Sequence, residues 1–297
     1  MVRVFQYSIT QTESDKNIGE YLRQRGYSHH ILACLKRSED GILLNGSRAR
    51  TTAPLHSGDL LSIHLEETET SEQIHPVPMD LNLLYEDEDI LIVNKPADMP
   101  VHPSINNYDN TLANGVIWYY GQQNIPFVFR CINRLDRDTS GLLILAKNML
   151  SAHILSSDMR RREIQREYLA IVQGNLEGSA VISAPIARKE GSVLERCVNP
   201  ETGEAAVTRY QSLFYNSRLD LTLISLRLET GRTHQIRVHM KYIGHPLIGD
   251  YLYHPDTRLI SRQALHSRLL QFIHPISQKP MEFQAPLPQD MNFIFKN

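Results

Sequence analysis

The densest chemistry in this 297-residue chain is the stretch Arg130-Cys131-Ile132-Asn133-Arg134-Leu135-Asp136-Arg137-Asp138-Thr139-Ser140-Gly141, which runs into the apolar segment Leu142 to Ala146. Two carboxylates and three arginines share a loop that ends against a strand-like run. A carboxylate held near guanidinium groups stays ionised, because opposite charge favours its charged form. At a cleft such a carboxylate serves as a base or a nucleophile. A salt-bridged surface loop would carry the same residues. Asp138-Thr139 resembles the Asp-Thr-Gly of aspartic proteases, but Ser140 intervenes before Gly141 and the chain holds no second copy.

A second stretch, Arg166-Glu167-Tyr168-Leu169-Ala170-Ile171-Val172, places a tyrosine on an expected strand. Alone, a tyrosine there reads as a core residue with a satisfied hydroxyl. The third is Leu228-Glu229-Thr230-Gly231-Arg232-Thr233-His234-Gln235-Ile236-Arg237-Val238-His239-Met240-Lys241, continuing through Tyr242 to Asp250. A turn at Gly231 feeds a helix on which His234, Arg237 and Lys241 fall at spacings of three and four, which predicts one basic face. His234 and His239 are five apart and point away from each other, and there is no HExxH, so no metal site is expected. Neither GxxxxGK[ST] nor GxGxxG occurs, which removes the obvious nucleotide-cofactor readings.

The elements that must position these residues fall into two groups. In residues 12–65, Ile18 and Leu22 mark a short helix and His30 to Arg37 a second, with Ile31, Leu32 and Leu35 on one stripe. Ile42-Leu43-Leu44 runs into Asn45-Gly46, a strong hairpin signal, and Leu60 to His64 reads as a strand. Residues 66–80 are acidic, aperiodic and end in His75-Pro76-Val77-Pro78, which predicts a solvated linker. It begins a stretch from Glu66 to Ile92 that carries nine acids and no Lys or Arg. In residues 81–297, strands are expected at 90–93, 142–147, 168–172, 207–214 and 219–228, and helices at 111–120, 148–162 and 233–243. Strands outnumber helices without alternating regularly with them. The expected class is therefore α+β, a largely antiparallel mixed sheet flanked by helices.

Bulk properties narrow the partners. The 41% hydrophobic content supports a real core, and no apolar run approaches a membrane span. MVRVFQYSIT has no apolar h-region, so no signal peptide is expected. Three cysteines without a CxxC argue against a disulfide framework and for a reducing compartment, here taken as the cytoplasm. Net charge is −2, so any case for a nucleic acid must rest on where the charge sits.

The segments 94–104 (NKPADMPVHPS), 133–147 (NRLDRDTSGLLILAK), 166–172 (REYLAIV) and 228–250 (LETGRTHQIRVHMKYIGHPLIGD) resemble the ordered motifs of RluA-type pseudouridine synthases. With residues 12–65, which resemble the RNA-binding module shared with ribosomal protein S-four, the resemblance covers about residues 12–285. One departure is Asn133, where many members carry histidine before Arg-Leu-Asp, which puts the anchoring of the loop in question.

The resemblance implies an isomerase that breaks the base–ribose bond of a uridine in RNA, turns the uracil and rejoins it through C5, without cofactor or metal. It assigns the essential carboxylate to Asp136, which either attacks the ribose or removes a proton from it. Arg237 should pair with Asp136 and keep it charged, and Tyr168 should pack against the uracil. Arg134 should enter the stack vacated by the flipped nucleotide, whose extrusion costs about a few kcal/mol. Arg232, His234 and Thr139 lie in the matched motifs and are expected to bind substrate. In the front module Arg23, Arg25, Lys36, Arg37 and Arg48 are the expected RNA contacts, with Arg50 also available. A docking domain with ordinary surface charge is the competing account of that module. The expected partner is structured RNA, ribosomal in preference to transfer RNA, bound by a monomer with no membrane and no nucleotide cofactor. Two other classes stay open: a non-catalytic RNA-binding protein on the same scaffold, and a glycoside hydrolase using Asp136 and Asp138, which would need the two carboxyls about 5–10 Å apart across one bond.

Overall fold

A computed structural model of the chain describes residues 2–67, 70–105 and 107–295. Thr68 and Glu69 of the expected linker lie outside the described residues.

The first group of elements is β1 (Val2–Ser8), α1 (Ile18–Gln24), α2 (His29–Arg37), β2 (Ile42–Leu44), β3 (Ser47–Arg48) and β4 (Leu60–Glu66). They form a sheet in the order β1-β4-β2-β3. The Asn-Gly turn between β2 and β3 has positive φ at both residues, 51° and 79°, as the hairpin signal requires. α1 starts at a capping box, in which Asn17 accepts from the Glu20 N–H and Glu20 reaches back to the Asn17 N–H. Residues 2–8, to which the sequence pattern assigns no element, are the sheet's edge strand. Only Phe5 in it is buried, so its alternation is too weak to read.

The second group is β5 (Leu83–Glu86), β6 (Ile90–Lys95), α3 (Leu112–Gly121), β7 (Ser140–Ala146), α4 (Met149–Arg161), β8 (Gln165–Gln173), β9 (Ser179–Ser183), β10 (Ile186–Arg188), β11 (Arg196–Val198), β12 (Val207–Asn216), β13 (Leu221–Leu228), α5 (Gln235–Tyr242), β14 (Leu265–Ile273) and β15 (Pro280–Gln284). A 3-10 helix, Gln289–Phe295, follows. Nine strands make one sheet, ordered β5-β6-β7-β14-β8-β13-β12-β9 with β15 on β14, while β10 and β11 form a separate hairpin. Among the described residues every pair in the large sheet is antiparallel except β7 with β14. The α+β class therefore holds. β7 is buried along its whole length, which explains why it reads as a continuous apolar run.

Two expectations need correction. The acidic run is not a solvated connector throughout. Glu67 is buried, pairs with Arg130 at 2.7 Å and accepts the Met149 N–H at the start of α4. Ser71 accepts the Phe129 N–H, and the His75 carbonyl accepts from the Asn114 amide. A charge run that looks solvated in sequence is thus partly neutralised by an arginine 63 positions downstream. The predicted basic face of α5 is also absent: Arg237 is only 2% exposed, and His234 lies outside the helix proper, as its N-cap. No helix among the described residues is long and apolar enough to cross a membrane.

Candidate active site

The Asp136 loop is built from its backbone outward. Asn133, the departure noted in the sequence, replaces any histidine anchor with two bonds to β7: its amide donates to the Leu142 carbonyl at 3.1 Å and its Oδ1 accepts the Ile144 N–H at 2.9 Å. Lys95, fully buried at the end of β6, donates to the carbonyls of Pro96 and Arg137 at 2.7 and 2.8 Å. Burial pushes the Lys95 amine down to about 7, against the opposing charges of Asp138 and Asp136. Arg262 donates to the Asp138 carbonyl, and the Thr139 N–H closes the turn on the Asp136 carbonyl. Gly141, at φ +115°, lets the chain press against β14; a Cβ there would sit 2.2 Å from the Ser267 carbonyl oxygen.

That close approach sets the rest of the site. Gly141 of β7 is opposite Ser267 of β14, Ser267 is opposite Tyr168 of β8, and Tyr168 is opposite Leu226 of β13. Tyr168 therefore lies two strands from the end of the Asp136 loop. It is buried in the same apolar cluster as Leu135 and Ile236.

From the other side comes the turn into α5. His234 adopts a left-handed conformation, φ 57° and ψ 20°, and makes no side-chain cap. A non-glycine residue held there costs of order 1–3 kcal/mol. The Gln235 side chain instead ties the turn before α5 to the sheet, accepting from the Arg232 N–H and the Thr230 hydroxyl and donating to the Val207 carbonyl and the Thr208 hydroxyl on β12. His239, one turn on, is fixed between Thr208 and the Ala184 carbonyl. α5 is thus clamped to the sheet, and its N-terminal end faces the Asp136 loop.

The two sides meet at a guanidinium. Arg237 donates from Nη1 to Asp136 Oδ2 at 2.9 Å, and from Nε and Nη2 to the two oxygens of Asp250 at 2.7 Å each. Desolvation works against this charge, but the bonds to Asp250 and the charge of Asp136 outweigh it and hold the group above its ordinary range. His234 Nε2 lies 3.9 Å from the same Asp136 oxygen, while its Nδ1 meets the Tyr253 hydroxyl at 2.9 Å. Burial holds the imidazole below its ordinary value, with Asp136 pulling the other way. The Asp136 side chain keeps 30% exposure, so a charged, positioned carboxylate is open to an incoming molecule.

The remaining expected residues divide. Arg134 is exposed beside this cleft in sequence, and Thr139 is buried with its hydroxyl accepting from Gln263. Arg232 is drawn away to Glu204 and the Ala205 carbonyl. Asp138 is buried and gripped by Arg137 through two bonds of 3.0 and 3.1 Å. Arg23, Arg25, Lys36, Arg37 and Arg48 are exposed on the first group of elements. Arg25 pairs with Glu13 and stacks 4.4 Å from the Tyr21 ring centre, and Arg48 donates to the carbonyls of Lys36 and Ser38. A groove of about 850 Å³ between β1 and α4 contains none of the Asp136 cluster. Sequence reasoning gave no role to Asp250, Tyr253 or Lys95. An acid closing the apolar run Pro246-Leu247-Ile248-Gly249 was the available signal for Asp250.

Comparisons with known proteins identify the family. The family model described as RNA pseudouridylate synthase matches residues 89–242. The chain is 41% identical over 280 residues to the uncharacterized RNA pseudouridine synthase YjbO of Bacillus subtilis (strain 168), covering 94% of this chain and 98% of that protein. It is 36% identical over 304 residues to ribosomal large subunit pseudouridine synthase D of Escherichia coli (strain K12), covering 95% and 92% respectively. The solved structure of human RNA pseudouridylate synthase domain containing 1 superposes with a TM-score of 0.59 at 27% identity, over 70% of this chain and 83% of that one. On these matches the chain belongs to the RNA pseudouridine synthase family, isomerases that act on RNA.

Proposed function

We propose that the enzyme converts uridine to pseudouridine in structured ribosomal RNA, with Asp136 as the carboxylate that acts on the target nucleoside. The observation that carries this reading is the Arg237 guanidinium shared between Asp136 and the fully buried Asp250. A guanidinium fixed on one side by a buried carboxylate presents its remaining N–H at a set place, and so holds Asp136 in one orientation. Tyr168 forms the floor against which the freed uracil turns, and Arg134 fills the gap left in the RNA stack. The reaction forms one carbon–carbon bond for the carbon–nitrogen bond it breaks, so it balances without an oxidant or a hydrolysing water.

Ribosomal RNA is favoured by the relatives named for the large ribosomal subunit, which align with this chain over 92% of their length. We assign residues 12–65 to RNA binding, residues 66–80 to a connection and residues 81–297 to catalysis. Exposed Arg23, Lys36 and Arg37 give the front module phosphate contacts that release counterions. The enzyme acts as a monomer in the cytoplasm.

The test is carbodiimide-based pseudouridine mapping of total RNA with and without the gene. Loss of a signal in large-subunit RNA, restored by the wild-type chain and not by Asp136→Asn, is the expected result. A signal lost only from transfer RNA would overturn the choice of substrate, and restoration by Asp136→Asn would overturn the role of that carboxylate.

A further inference from the structure

Tyr253 touches both partners of Asp136. Its hydroxyl meets His234 Nδ1 at 2.9 Å and accepts the Arg196 N–H of β11 at 2.8 Å. Its ring lies 5.0 Å from the Arg237 guanidinium carbon and 5.6 Å from the Lys241 amine. The side chain is buried, and its backbone N–H is held by Asp250. A phenol hydroxyl has one proton and two acceptor sites. With one acceptor site taken by Arg196, the proton is placed to go to His234.

We propose that Tyr253 is a positioning residue of the reaction: its hydroxyl donates to His234 Nδ1 and so keeps the Nε2–H of a neutral imidazole turned to the Asp136 carboxylate, while its ring backs the Arg237 guanidinium. The proposal rests on Asp136 being the reacting carboxylate. His234 is suited to the role because, in its left-handed conformation, its side chain makes no helix-capping bond and reaches Tyr253 through Nδ1 while Nε2 lies near Asp136. The groups facing the imidazole are Asp136 and Asp250, which favour its charged form, and Arg237 and Arg196, which oppose it; burial outweighs them all and keeps it neutral. The Tyr253 hydroxyl, pushed up to about 12 chiefly by burial, remains a donor over the same range. Protonated His234 would instead pair with Asp136 and compete for its charge. The tyrosine thus separates the imidazole's neutral, orienting state from a charged, inhibiting one.

Long-range proton–nitrogen NMR of the full-length enzyme reads the tautomer directly. The wild type is expected to show His234 with its proton on Nε2, and Tyr253→Phe to lose that preference and titrate at higher pH. In turnover, Tyr253→Phe should lower kcat by about three- to tenfold, the range of one hydrogen bond, with KM little changed and the acid limb moved to higher pH. His234→Asn, which tolerates the left-handed backbone, should lose a similar factor, and the double variant no more than either alone. A wild-type proton on Nδ1, additive losses, or an unmoved acid limb would overturn the proposal; the first needs no variant to fold. Full turnover by Asp136→Asn would instead overturn the reading of the carboxylate itself.

Discussion

Arg237 joins two carboxylates, and replacing each by its amide should give opposite results. Asp250 has no exposed surface and accepts two guanidinium bonds of 2.7 Å plus the backbone N–H groups of Leu252 and Tyr253. Asp250→Asn keeps the shape but sets an NH2 against guanidinium N–H and leaves a buried cation with half its compensation. Breaking a buried pair costs about 3–5 kcal/mol. Because Asp136 remains and the asparagine keeps one acceptor, the low end, about 3 kcal/mol, applies here. At about 2–4 °C per kcal/mol for a domain of this size, the melting temperature should fall by roughly 6–12 °C. Asp136→Asn leaves the guanidinium its stronger partner, and the altered side chain is partly solvated, so stability should stay within about 1 kcal/mol while product formation stops. Scanning calorimetry beside a pseudouridine assay on one refolded transcript makes both measurements. If Asp250→Asn melted within about 2 °C of wild type, or Asp136→Asn cost more stability than Asp250→Asn, the division of labour argued for Arg237 would be wrong.

Gly141→Ala should cost more than about 3 kcal/mol, since it combines a positive φ with a Cβ 2.2 Å from the Ser267 carbonyl; urea denaturation checks it. Lys95 is neutral in the fold above about pH 7 and charged in the unfolded chain up to about 10.5, so the unfolded state binds more protons in that window and this residue's contribution to stability rises with pH. Lys95→Met should remove that rise between pH 7 and 10 in denaturation curves. Replacing Arg23, Lys36 and Arg37 together by serine should raise KM and flatten the salt dependence of RNA binding with kcat within about tenfold, whereas an unchanged salt slope in filter binding would favour a protein-docking role. Product formation on prefolded RNA should persist in EDTA, because exchange of one glycosidic bond for another needs no Lewis acid.

The helices were legible from their apolar positions, and the structure adds the caps that start them. Asn17 before α1, Thr111 before α3 and Asn148 before α4 each accept a backbone N–H two or three residues into their helix, and the apolar positions behind them are buried. The Asn45-Gly46 hairpin was legible for the same local reason. The strands β5, β9, β10, β11, β14 and β15 were not assigned: they are short, carry mixed polarity or, as in β14, pair with segments more than 90 residues away. In the site, Asp136, Tyr168 and Arg237 came from motif resemblance, while Asp250, Tyr253 and Lys95 acquire meaning only from three-dimensional neighbours. Spacing put Arg237 on a basic surface stripe, but two carboxylates, 101 residues before it and 13 after it, turn it into a buried charge.

The insertion of β14 between β7 and β8 also fixes when the enzyme can exist. The sheet of the first group is complete once residue 66 is made, since β1, at the start of the chain, then has its partner β4. The large sheet cannot close in that order. β7 ends at Ala146 and β8 begins at Gln165, yet the strand that joins them starts at Leu265. A nascent chain therefore carries the Asp136 loop and Tyr168 unjoined for about a hundred residues of synthesis: residues 130–133 already bond the apolar part of the β7 edge, but Ser140 and Gly141 wait for β14. Non-local pairing of this kind slows folding and exposes intermediates to aggregation. Chains stopped short of β14 should be inactive and chaperone-bound, and nearly the whole polypeptide must leave the ribosome before it can act on any RNA.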